Sequence, residues 1–353
     1  MGSKPADITS HRPLLPHSTA LVGAMTIPLN ILCQSPIASN SSAADAIRNT
    51  VDLARRAEAL GYHRFWVAEH HSDRALAGAA PEVMMAHIAS VTERIRVGSG
   101  GVQIPFYSPF KVAEQFNTLA ALFPGRIDLG IGRSGGSEGQ APAALGIRNP
   151  PAKGFSAMDE LLRWLGPEKA TPPLANTFAS PPVDEAAQPW ILGTSPNSAR
   201  FAGERGLPYA FGGFLDPRGL QPSLAAYHQH FRANASGDGP RTMLAWNVMV
   251  AETHEEARRL ARSTEHWFVR TMLRKENPPF EAPEVAEAAS YSPMESMMVE
   301  AMRQMAFIGT ATEVLEGLHM LRSHTHADEL TLVTIPYDHA ARVRSYELIM
   351  EAM

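Results

Sequence analysis

Apolar and polar positions along this chain follow two periods, and the switches between them mark its elements. Short runs of strand formers occur at Ile27 to Leu32, Arg64 to Val67, Ile95 to Ile104 and Arg126 to Ile131. Between them, apolar residues recur at helical spacing. Ile47, Val51, Ala54, Ala57 and Leu60 define one helix, with Ser41 or Ser42 placed to cap its start and Gly61 its end. A second opens at Pro81 and carries Met84, His87, Ile88 and Val91 near one side; a third runs from Pro109 through Val112, Phe116, Leu119 and Phe123 and stops at Pro124-Gly125.

The second half keeps this rhythm less cleanly. Strands are predicted at Trp190 to Leu192, Pro208 to Phe211, Met243 to Val250 and Glu329 to Ile335. Helices are predicted at Phe155 to Leu165, from Pro196 to about Arg205, and at Leu220 to Asn234, His254 to Val269, Thr312 to Arg322 and Ala340 to Glu351. Gly166 to Pro189 and Arg270 to Glu300 break the pattern with prolines and read as irregular. Eight strands, each with a helical partner, imply parallel strands joined by crossover helices. That many units favour a closed TIM (β/α)8 barrel, because closure leaves no sheet edge. A doubly wound open sheet satisfies the same pattern. Residues 1–26 read as a flexible N-terminal tail and residues 27–353 as a single domain.

Composition narrows the function classes. The chain has 353 residues and a net charge of −5, with Lys and Arg scattered, so no nucleic-acid footprint is marked. Its one cysteine, Cys33, excludes an internal disulfide, leaves no thiolate set for zinc or an iron–sulfur cluster, and fits a cytoplasmic location. Ala20 to Cys33 is apolar but too short to span a bilayer and is interrupted by Pro28 and Asn30, so no membrane segment is expected. A lipoprotein signal is the lesser alternative there.

The candidate chemistry sits where strands end. Glu69-His70-His71 follows the second strand, at the side of an α/β scaffold where ligands bind. Adjacent side chains cannot both point inward, so one imidazole is expected to face the cavity, oriented by Glu69 or a loop carbonyl. Two hydrogen-bonded structural histidines are the alternative. No H-E-x-x-H spacing suggests a metal. Gly130 to Gly135 matches G-x-G-x-x-G, but at the fourth strand, and the loop runs on to Gly139 without opening a helix. Its useful member is Arg133, a cation suited to a phosphate. Gly193 to Ser198 opens a helix whose free N–H groups attract anions, although ordinary capping by Thr194 or Ser195 explains the same letters. Gly98-Ser99-Gly100-Gly101 weakens a strand and suggests close approach of a flat ligand, strained peptide geometry or a simple bulge. His324, His326, Asp338 and His339 are expected on solvated surface.

Five stretches together resemble the bacterial-luciferase-like flavin monooxygenases: GYHRFWVAEHH, PEVMMAHIASVTERIRVGSGGVQIP, KVAEQFNTLAALFPGRIDLGIGR, WILGTSPNSARFAGERGLPYAFGG and DELTLVTIPYDHAARVRSYELI. The resemblance implies a TIM barrel with an insertion after strand 7, which would be Arg270 to Glu300. It implies that His70 is catalytic, flanked by Glu69 and His71, and that Gly100-Gly101 forms a non-prolyl cis peptide supporting the isoalloxazine ring. It further implies that Arg133, Thr194, Ser195 and Ser198 hold the FMN phosphate and that Glu114 lies near the flavin. Gly132 stands where the luciferase α subunit has a reactive cysteine, and Thr194 where it has a glutamate, so light emission is not implied. The implied reaction uses FMNH2 from a separate flavin reductase and O2 to oxygenate a small organic substrate through a C4a hydroperoxide. A homodimer through the helices after strands 2 and 3 is implied as well. A nicotinamide- or deazaflavin-dependent dehydrogenase on the same barrel and a non-catalytic flavin-binding protein are the alternatives. The substrate stays open among aldehyde, ketone, aromatic polyketide and sulfonate.

Overall fold

The computed structural model describes residues 27–133, 141–147, 153–165, 174, 176–234 and 237–353. The expected tail at residues 1–26 and the glycine-rich loop beyond Arg133 lie outside the described residues. The strands are β1 (Leu29–Cys33), β2 (Arg64–Val67), β3 (Arg96–Gln103), β4 (Ile127–Gly132), β5 (Gln188–Gly193), β6 (Tyr209–Gly212), β7 (Thr242–Val250), β8 (Phe307–Gly309) and β9 (Glu329–Val333). β1 to β7 pair in parallel in chain order, and β9 pairs in parallel with both β7 and β1. That last pairing closes a TIM barrel and excludes the open sheet. The short β8 adds to the far end of β7, outside the closed ring.

The helices are α1 (Ala43–Leu60), α2 (Pro81–Ser90), α3 (Pro109–Leu122), α4 (Ala141–Ala144), α5 (Gly154–Leu165), α6 (Pro196–Glu204), α7 (Leu220–His230), α8 (His254–Phe268), α9 (Pro283–Ala288), α10 (Pro293–Gln304), α11 (Ala311–Thr325) and α12 (His339–Glu351). Two of them correct the sequence reading. Arg270 to Glu300 holds α9 and most of α10 rather than irregular chain. Pro283 and Pro293 each stand at a helix's first turn, where the missing N–H has no partner to lose, so residues read as breakers are starters. Ser292 and Glu295 then cap α10 reciprocally. The insertion after the seventh barrel strand thus consists of α8, α9, α10 and β8, with α11 as the crossover to β9.

The buried face of α1 is also turned by about one residue from the predicted one. Ala46, Thr50, Leu53, Ala54 and Ala57 face the sheet, while Ile47 is 38% exposed. The small side chains allow close approach, and the Thr50 hydroxyl spends its donor and acceptor capacity on Ala46, Ser35 and the Cys33 thiol. On α2 the shift is similar: Met85 and Ile88 are buried, and His87 and Val91 are exposed.

The barrel interior is layered. At its N-terminal end, Arg64 of β2 donates to Asp128 of β4 at 2.6 Å and to Glu329 of β9 at 2.8 Å, all three fully buried. Asn30 of β1 donates to Glu329 at 2.8 Å. Above this layer lie Trp66, Trp190, Leu32, Ala210, Met243 and Val333. The two indoles meet edge to face at 5.7 Å, and Trp66 Nε1 donates to Asp128 at 3.0 Å. Gly98 belongs to this arrangement: a side-chain carbon there would collide with the Trp66 indole and stand 2.8 Å from Asp128 Cβ. The glycine makes room for tryptophan rather than for a ligand.

Removing Asp128 would strand part of Arg64's charge in the interior. Asp128→Ala is expected to cost about 3–5 kcal/mol of unfolding free energy, read as a lower denaturation midpoint in urea; a shift under 1 kcal/mol would mean the network is dispensable. Burial pushes the Glu329 carboxyl up, but Arg64 and Arg241 outweigh it and hold its pKa below the ordinary value. Its contribution is therefore present at neutral pH and lost as pH falls below the ordinary carboxylate range.

Candidate active site

The C-terminal ends of β2, β3, β4 and β5 emerge side by side. Val67 pairs with Ser99, Gln103 with Gly132, and Gly132 with Leu192, so the residues that follow leave the barrel as neighbours. Glu69 and His70 follow β2, Arg133 follows β4, and Thr194 and Ser195 follow β5. Their order around the rim is fixed by main-chain pairing.

Glu69 is buried and richly bonded. Its Oε2 accepts from the Gln103 N–H at 2.9 Å, and its Oε1 meets Tyr107 Oη at 2.7 Å and His71 Nε2 at 2.6 Å. Of the two histidines, the one that Glu69 holds is His71. In an extended segment, residues two apart fall on the same side and adjacent ones do not. Burial pushes the Glu69 carboxyl above its ordinary range, against the pull of Tyr107, the Gln103 amide and His71. The Tyr107 hydroxyl is pushed well above its own range by burial and then by Glu69, which keeps it a proton donor in this bond. Gln103 and Tyr107 were missed in the sequence reading. Their signal was position, since both lie at the end of the third strand.

His70 stands apart from that cluster. Its backbone N–H donates to Gly78 at 2.6 Å, while its Nδ1 is buried without a hydrogen-bond partner. Burial, with the adjacent His71, lowers its pKa to about 4. The ring is therefore neutral at pH 7 and one buried nitrogen is uncommitted.

The Gly100-Gly101 peptide is cis. The β3–β4 register shifts there, with Ser99 opposite Leu129 and Val102 opposite Ile131, so two residues of β3, Gly100 and Gly101, stand against one of β4, Gly130. A side-chain carbon on Gly101 would come within 2.8 Å of the Gly130 carbonyl oxygen and of Leu192. One on Gly100 would collide with Leu32, so both glycines admit close packing of the neighbouring strands.

Arg133 lies over the Phe155 ring at 4.9 Å, and Phe155 of α5 stacks on Phe201 of α6 at 4.9 Å, which ties the cation to the helix that follows β5. Its Nε is buried and unpartnered, and it makes no ion pair among the described residues. Ser195 occupies the N-cap of α6 but makes no side-chain cap; its hydroxyl instead meets Ser198 at 3.2 Å. The ordinary capping that would have explained Thr194 and Ser195 is not made by Ser195. Glu114 is placed elsewhere, on α3, paired with the exposed Lys111 at 3.2 Å. No contact joins it to Glu69, His70, Arg133 or α6 among the described residues.

His339 corrects another expectation, being half-buried and bonded to Asp52 at 2.9 Å rather than solvated. Among the described residues no group of three or more His, Cys, Asp or Glu is disposed to hold a metal, and no helix is long and apolar enough to cross a membrane.

The strand ends thus carry an imidazole with one buried nitrogen uncommitted, a buried carboxylate, and a guanidinium without an ion pair among the described residues. The sequence profile of the family described as Luciferase-like monooxygenase matches residues 27–326, and the chain belongs to that family. N-acetyl-S-alkylcysteine monooxygenase of Bacillus subtilis (strain 168) is 35% identical over 334 residues, spanning 93% of this chain and 98% of the relative. Among solved structures, apo-MsnO8 superposes with a TM-score of 0.85 at 35% identity, over 92% of this chain and 98% of that one. The oxygenating constituent of 3,6-diketocamphane monooxygenase from Pseudomonas putida, in complex with FMN, gives a TM-score of 0.68 at 22% identity over 93% and 97%, a likeness of fold.

In an NMR titration the His70 imidazole is expected to protonate near pH 4; a midpoint near 6.5 would show the ring to be solvated. Between those values the unfolded chain binds the extra proton, so the contribution of His70 to stability falls as pH drops through that window.

Proposed function

We propose that this chain is the oxygenating component of a two-component monooxygenase, receiving reduced FMN from a separate flavin reductase and oxygenating a small organic substrate with O2. The observation that carries the reading is the pairing of β4 with β5, which releases Arg133 beside a helix start whose serine leaves N–H groups uncapped. A phosphate group fits those donors, because helix N-termini and guanidinium groups both favour dianions. The FMN complex of a protein with the same fold agrees with this choice.

Bound reduced flavin supplies the electrons that activate O2. The chain's own residues do the rest. Arg133, Thr194, Ser195 and Ser198 hold the phosphate, and Gly100-Gly101 backs the ring. His70, neutral at working pH, holds or moves a proton at Nδ1. Glu69 locks His71 and Tyr107 in place around it. Met302 of α10 lines a small cavity of about 50 Å³ with Asn247 and Val333 at the ends of β7 and β9, so the insertion reaches the barrel mouth and is suited to exclude water. Val83 of α2, 64% exposed, and Leu122 of α3, 62% exposed, support pairing of two copies through those helices.

The test supplies FMN, NADH and a generic flavin reductase with a panel of small organic substrates, under air and under argon. An oxygenated product formed in air alone is expected, and His70→Ala should lower product per NADH by about a hundredfold, the size of a lost acid–base group, with FMN affinity retained. Turnover under argon, or unchanged yield in the variant, would contradict the reading.

A further inference from the structure

The opposite mouth of the barrel holds a second cavity, of about 320 Å³, far along the strands from Glu69 and Arg133. Arg64, Arg96, Arg241, His63, Gln188 and Glu185 are among its lining residues, and each comes from the start of a strand or the turn before it. The guanidinium carbons of Arg64 and Arg241 stand 5.2 and 5.3 Å from the ring of the buried Trp190.

Three guanidinium groups, Arg64, Arg96 and Arg241, share two buried carboxylates, Asp128 and Glu329, and the third acid of the cavity, Glu185, stands exposed at its rim. Arg64 spends three nitrogens on those two acids. Arg96 spends its donors on Asp128 and on the carbonyls of Gly125 and Ile127. Arg241 differs. One terminal nitrogen reaches Glu329, while its Nε and other terminal nitrogen make no hydrogen bond among the described residues, and its side chain is 41% exposed into the cavity mouth. Glu185 lines the rim but is exposed and pairs with none of the three among the described residues. His63 is exposed at the same rim, with its pKa lowered by burial and by Arg64, so at neutral pH it adds a donor rather than a charge.

We infer that this cavity is a binding site for a small oxyanion, a carboxylate or phosphate group, taken by the free fork of Arg241. The planar guanidinium matches the two oxygens of such a group, and a lysine in its place would not. The volume falls at the lower end of small-molecule sites, which sets the ligand at a few heavy atoms around the anionic group. The site is independent of the flavin reading, since none of its residues is assigned to flavin.

Calorimetric titration of the whole chain with inorganic phosphate and with succinate, against sodium chloride at matched ionic strength, tests this. A saturable site for phosphate or succinate that is distinct from the Arg133 site is expected, and which of them binds separates a phosphate ligand from a carboxylate ligand. The site should persist in Arg133→Ala, which places it away from the proposed flavin phosphate site irrespective of any variant at Arg241. In Arg241→Gln and Arg241→Lys the dissociation constant should rise at least about tenfold, as for loss of a charge-assisted hydrogen bond. No saturable binding beyond chloride, loss of binding in Arg133→Ala, or unchanged affinity in a folded Arg241 variant would each overturn the inference.

Discussion

The guanidinium of Arg64 is the tie on which this architecture depends. It joins β2 to β4 through Asp128 and to β9 through Glu329, and Asn30 brings β1 into the same layer. An apolar core of equal volume would serve stability as well or better, because desolvating ions is costly. A charged layer does something else: it accepts one register, since a strand slipped by a residue would bury an unpaired charge. We attribute to it the alignment that brings the ends of β2 to β5 together at the far rim. Trp66 links the two levels, resting in the space left by Gly98 and donating to Asp128.

From that frame the functional end is built by loops with different degrees of commitment. Around Glu69 every strong acceptor is used, by Gln103, Tyr107 and His71, which gives a rigid carboxylate in low dielectric. At the same rim His70 Nδ1 and Arg133 Nε are buried without a hydrogen-bond partner among the described residues. Buried polar atoms without partners are uncommon and call for an explanation. Under the proposed function a bound ligand completes both, and the C-terminal ends of barrel strands are where such ligands are found.

Much of the fold was legible in the sequence. All eight barrel strands fall where short runs of strand formers stand between turn residues, and the breaker pair Pro124-Gly125 marks the end of α3. Legibility failed where a decision needed a third dimension. Whether Ile47 or Ala46 faced the sheet could not be read from spacing, because both continue a helical stripe. Pro283 and Pro293 look the same as breakers and as first-turn residues until the chain around them is seen. For Gly98 to Gly101 ligand approach, strained geometry and a bulge all stayed open, because the register that brings Trp66 against Gly98 is a cross-strand fact. Some signals were present and unread: Arg64, Asp128 and Glu329 each stand at or near the start of a strand buried on both faces, where a charge requires a partner. Glu69 and His71, two residues apart, likewise announced their pairing.

In the proposed function the ends of β4 and β5 converge on one phosphate group. The most direct measurement is a double-mutant cycle of Arg133→Ala and Ser195→Ala on the affinity for FMN, repeated with riboflavin, which lacks the phosphate. The account predicts that each variant weakens FMN but not riboflavin, and that the two losses are not additive, as for groups sharing one ligand atom cluster. Equal losses for both flavins, or strictly additive effects, would place Arg133 and the α6 terminus on separate business and contradict it.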